Sequence, residues 1–77
     1  MEIYKAETEE ILQRFLDRRL TREKCVGALY TAFLGILPDL KPEDFPAVRT
    51  IILANEEVLT KERQRRRDRL NDNSRAV

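Results

Sequence analysis

Histidine and tryptophan are absent from this sequence, and cysteine is nearly so: 77 residues hold one cysteine, two glycines and three prolines. Each shortage excludes something. Without histidine, general acid–base work falls to carboxylates, lysines, tyrosines or the lone Cys25. One thiol and no imidazole can build neither an intramolecular disulfide nor a zinc site. Gly27 and Gly35 lie inside an apolar stretch, remote from any GxxxxGK[ST] pattern, so no phosphate-binding loop is present. Most carboxylates fall on solvated helix faces or at helix starts, and the adjacent Glu56 and Glu57 would point about 100° apart, which gives no paired-carboxylate site. The expectation is a protein without catalytic residues, metal or cofactor.

Long apolar runs are missing too. The longest uncharged stretch, Cys25 to Pro38, is too short to span a bilayer. The Met-Glu-Ile-Tyr-Lys start lacks the basic and apolar regions of a signal peptide. A cytoplasmic, reducing compartment and no membrane association are expected. Nor does Val or Ile alternate with polar residues over a strand's length, so the pattern predicts helices only.

The first helix is predicted from Glu2 or Tyr4 to Arg18. Tyr4, Thr8, Ile11, Leu12, Phe15 and Leu16 line one face, and Glu7, Glu10, Arg14, Asp17 and Arg18 the other. Glutamates gather in its first turns and arginines in its last, as the helix dipole favours. Thr21 is placed to cap a second helix reaching about Leu37; Lys24 stands where a full capping box has Glu or Gln.

That second helix carries no charge between Lys24 and Asp39. Cys25, Val26, Leu29, Tyr30, Phe33, Ile36 and Leu37 cover about 140° of the wheel, and the remaining arc holds mostly small residues. A helix with no polar face is normally buried on all sides, and two flanking helices do not surround it easily. The row Gly27, Thr31, Gly35 fits either a tight intramolecular crossing or the close approach of another chain. Cys25 lies in the first turn, where the dipole favours a thiolate, but it falls on the apolar stripe, which favours burial as a small hydrophobe.

Pro38 ends this helix, and Pro38 to Pro42 reads as a loop. Either Asp44 caps the third helix or that helix begins at Pro42. Its stripe contains Phe45, Val48, Ile51, Ile52, Asn55, Val58 and Leu59, after which Glu62, Arg63 and Arg66 occupy the same face. Asn55 therefore sits among apolar neighbours, where it either pairs with its own symmetry mate and sets register or bonds a nearby carbonyl of the protomer.

Charge is unevenly spread: residues 1–60 carry eight Lys/Arg against eleven Asp/Glu, whereas residues 61–77 carry seven against three. The chain thus divides into a helical core (1–60), a basic helical extension (61–70) and a tail (71–77) expected to be disordered. Truncation after Thr60 is expected to leave the core folded. The basic run offers Lys61, Arg63, Arg65, Arg66, Arg67 and Arg69 to an acidic partner or to nucleic-acid phosphates. No aromatic interleaves it to stack bases, and no helix-turn-helix reader is present.

The fold expected is all-α: a small three-helix domain, a helical hairpin plus a longer C-terminal helix, forming a homodimeric helical bundle. A single core is only marginally sufficient at this length, and a second copy supplies further burial. Candidate self-association positions are Gly27, Thr31, Gly35, Ile51, Leu53 and Asn55. The function expected is a non-enzymatic protein-interaction or regulatory module acting as a homodimer, with an unidentified protein partner. The alternative is an accessory nucleic-acid-binding protein using the arginine-rich end of the third helix.

Overall fold

The computed structural model describes the backbone of residues 1–75 and the side chains of residues 1–68. The chain is all-α. Helix α1 spans Glu2–Leu16, α2 spans Arg22–Ile36 and α3 spans Phe45–Arg75; single 3₁₀ turns at Leu37–Asp39 and Pro42–Asp44 join α2 to α3. No described helix is long and apolar enough to cross a membrane.

Local chemistry explains the boundaries. Helix α1 ends in a Schellman motif: Arg19 N–H donates to the Arg14 carbonyl at 2.8 Å, and Arg18 N–H donates to the Phe15 carbonyl at 3.1 Å. Arg18 holds the left-handed position of that motif, with φ 62°, where glycine is usual. Thr21 caps α2, its hydroxyl accepting from Lys24 N–H at 3.3 Å. At the third boundary the Asp44 carboxylate accepts from Lys41 N–H at 3.3 Å across the Pro42–Asp44 turn, and α3 follows directly. Pro46 is tolerated because it lies in the first turn, whose N–H groups have no intrahelical acceptor.

Helix α1 buries Tyr4, Thr8, Leu12 and Phe15, one stripe along its length. Tyr4 packs in a cluster with Ala32 and Val48, whereas Leu12 and Phe15 pack with Cys25, Val58 and Leu59. These two ends show that α1 runs parallel to α3 and antiparallel to α2. Ile11 touches both clusters and joins them. The buried apolar core comprises only Tyr4, Leu12, Phe15, Cys25, Ala32 and Val48 among the described residues.

Three expectations change here. Helix α2 is not buried all round: Val26, Tyr30 and Leu34 are exposed, as is Leu37 just after it. Helix α1 packs along one face of α2, and α3 meets α2 through the two core clusters without covering these side chains. The packed part of α3 also passes the point where its stripe turns from apolar to charged. The Glu62 side chain is only 14 % exposed, and Arg66 lies over the Phe15 ring. The α3 backbone continues through Arg75, beyond the end expected at Leu70. The tail expected to be disordered, 71–77, is helical in its backbone up to Arg75, and residues 76–77 lie outside the described residues.

Candidate interaction site

The candidate contact surface is an apolar groove between α2 and α3, with Tyr4 of α1 also in its lining. It consists of two depressions of about 360 and 340 Å³ that share Phe33 and Ile52. One is walled by Val26, Tyr30 and Leu59, with Asn55 in its lining; the other runs past Leu37 to Phe45 and Leu53. Exposed large side chains rim it, notably Tyr30 at 62 %, Phe45 at 55 % and Leu53 at 52 %. Side chains of this size left in water on a small protein mark a contact surface more often than a solvated one.

Asn55 is 93 % buried, its relative exposure being 7 %. Among the described residues its amide makes no side-chain hydrogen bond, so the intramolecular carbonyl partner envisaged from the sequence is not formed. No described side-chain polar atom is both fully buried and unpartnered, so the amide meets solvent through the groove.

The other sequence-derived positions scatter. Gly27 and Gly35 face open space, with nothing within 4 Å of a Cβ added to either. Thr31 between them is exposed, its hydroxyl donating to the Gly27 carbonyl at 2.9 Å. The small-residue row therefore serves no tight crossing within the protomer; it lies on an outward face of α2 beside Leu34. Ile51 packs against the Tyr4–Ala32–Val48 cluster and belongs to the protomer's own core. Leu53 and Asn55 line the groove.

The basic run divides along α3. Lys61 is paired with Glu57 at 2.8 Å, and that partner lowers the Glu57 pKa through a hydrogen bond and its charge. Arg65 and Arg66 lie 3.8 and 3.7 Å from the Glu62 carboxylate. Arg63 and Arg67 flank a shallow depression with Thr60 and Gln64. The Arg69 side chain lies outside the described residues.

Sequence reasoning missed a cluster that only tertiary structure assembles. Arg18 and Arg19 leave α1, Arg22 opens α2, and Arg66 comes from α3; together with Leu20 and Thr21 they line a bay of about 510 Å³. Read along the chain, the first two suited only the helix dipole.

Cys25 is fully buried, and desolvation raises its thiol pKa, the reverse of activation. Among the described residues no group of three or more carboxylates or thiols is placed to hold a metal ion. No protein family, curated protein or solved structure matches this chain.

Proposed function

We propose that this chain is a small non-enzymatic interaction module that acts as a homodimer, a second copy closing the α2–α3 groove. The observation that carries the reading is the groove itself: a largely apolar cleft in which Asn55 is the buried polar residue, with the charged Glu56 and Arg49 also in the lining. In paired helices a lone asparagine at such a site sets orientation by bonding its symmetry mate.

Charge favours an antiparallel arrangement. If two α3 helices cross at Asn55, Arg67 lies about 18 Å along the axis on one side, and Asp44 of the other copy about 17 Å, at 1.5 Å per residue. The basic extension of each copy then meets the acidic Glu43–Asp44 turn of the other. Lys61, which comes level with Arg49 in this arrangement, is already neutralised by Glu57. Tyr30 lines the same depression as Asn55, so α2 meets its own copy near that residue across one two-fold axis. The buried, unpaired Cys25 suits a reducing, cytoplasmic compartment.

Sedimentation equilibrium at tens of micromolar tests the reading. A species of twice the 9.1 kDa chain mass is expected. Tyr30→Glu combined with Leu53→Glu, both at exposed sites, should return it to monomer without loss of helicity. A wild-type protein that sediments only as a monomer at that concentration ends the proposal.

A further inference from the structure

We infer that the bay formed by Arg18, Arg19, Arg22 and Arg66 binds backbone phosphates of duplex nucleic acid. Four arginines line it, two from the α1–α2 turn, one from the start of α2 and one from α3, and no carboxylate lines the bay. Arg18, Arg19 and Arg22 take part in none of the ion pairs found among the described residues. Arg66 has Glu62 beside it at 3.7 Å, a separation long enough to leave its fork available. Of the carboxylates adjacent in sequence, Asp17 accepts a hydrogen bond from Gln13 at 3.0 Å, and Glu23, in the first turn of α2, is not among the residues lining the bay.

Convergent like charge is unfavourable unless a counter-charge fills it, and guanidinium forks match phosphate oxygens in pairs. The α2 N-terminus opens on the same bay, because Thr21 and Arg22 both line it. Thr21 caps Lys24 N–H, and the preceding N–H groups of Arg22 and Glu23 have no intrahelical acceptor. Arg63, about one turn before the bay's Arg66, and Arg67, the next residue after it, line a neighbouring depression and add positive charge along α3. A backbone tracking the bay thus finds further cations along the helix.

The occupant follows from what the surface lacks. No aromatic side chain is exposed beside the bay, since Phe15 is only 2 % exposed beneath Arg66. Single strands are held by stacking on exposed rings, so this surface suits a duplex whose bases stay stacked. Contacts from these arginines to phosphate position a duplex without reading it, so binding through the bay should be indifferent to sequence.

Fluorescence anisotropy of labelled duplex DNA and duplex RNA, titrated with the full chain across a salt series, tests this. Binding should weaken linearly in log–log form, with a slope of about −3.6 on duplex DNA for about four phosphates neutralised. Arg19→Gln with Arg22→Gln, both exposed, should lower the magnitude of the slope by about two and the affinity by about tenfold or more. A control of equal charge change, Lys5→Gln with Lys41→Gln, should leave both nearly unchanged. Arg18→Gly should weaken binding while raising the melting midpoint, which separates loss of a phosphate contact from loss of fold. Failure to bind either duplex at low salt overturns the inference. So does a control that weakens binding as much as the bay variant, or polyglutamate or anionic vesicles that compete as well as duplex.

Discussion

The guanidinium carbon of Arg66 lies 5.4 Å from the centre of the Phe15 ring, closing the α1 end of the core with a charged residue. Phe15 is among the most buried side chains of the protein, and the stem of Arg66 shields its edge while the charge stays at the surface. Arg66→Ala should therefore cost about 1 kcal/mol, from the lost cation–π contact and the uncovered ring. For a domain of this size that lowers the melting midpoint by about 4–8 °C. Arg65→Ala and Arg67→Ala, which make no such contact, should shift it little. Truncation after Thr60, harmless on the sequence pattern alone, should destabilise the domain, whereas truncation after Asp68 should not. Thermal unfolding followed by circular dichroism distinguishes these outcomes.

That contact also shows where the sequence stops being legible. The α1 stripe, the Thr21 cap and the burial of Cys25 depend on neighbours within a few residues, so periodicity and capping chemistry reveal them. The contact of Arg66 with Phe15 spans most of the chain. Its position is set by how α1 and α3 run side by side, which no local pattern encodes. The arginine bay is hidden for the same reason. The partial exposure of α2 was equally unreadable: a charge-free helix predicts burial, yet the number of helices present decides how much of it is covered. Arg18 gave no signal at all, because the usual mark of a Schellman motif is a glycine, and residue 18 is not one.

The cap on α2 has a measurable consequence. Thr21→Ala removes the acceptor for Lys24 N–H and should cost about 1 kcal/mol. Thr21→Ser, which keeps the hydroxyl, should restore most of it. A denaturant midpoint unchanged in the alanine variant would show that Thr21 is not stabilising the helix start.

Alkaline pH should unfold the protein earlier than its exposed charges alone imply. Burial raises the pKa of the Cys25 thiol, and burial with the nearby Glu7 charge raises that of the Tyr4 phenol. In the unfolded chain these groups release protons first, near their ordinary values of about 8.5 and about 10. Above those values the unfolded state binds fewer protons than the native state, so stability falls with rising pH. The contribution is fully present at neutral pH and is lost as pH climbs through the raised native pKa values. Tyr4→Phe should flatten the upper part of the decline, and Cys25→Ala the lower part. Denaturant midpoints from pH 7 upward measure this, and a flat profile in the wild type would contradict it.

The sharpest test of self-association lies at Asn55. Its side chain lines the groove without a hydrogen-bond partner in the protomer, surrounded by Ile52, Leu59 and Phe33. Asn55→Leu replaces an amide that has no hydrogen-bond partner in the protomer by an apolar group of similar size, so no intramolecular bond is lost and the melting midpoint should rise. At a two-fold axis the same change removes the bond that distinguishes one orientation and stoichiometry from others. The leucine variant should associate more tightly yet lose its single defined mass, showing species beyond the dimer in sedimentation velocity. Asn55→Asp gives the complementary result. Two carboxylates brought together at the axis repel, which should leave monomer at neutral pH. Association should return on acidification, because like charge and burial both raise the carboxyl pKa and neutralise it above the ordinary carboxylate range. If both variants show the mass of the wild type at every pH where they stay folded, Asn55 is not at the interface, and the second copy does not occupy this groove.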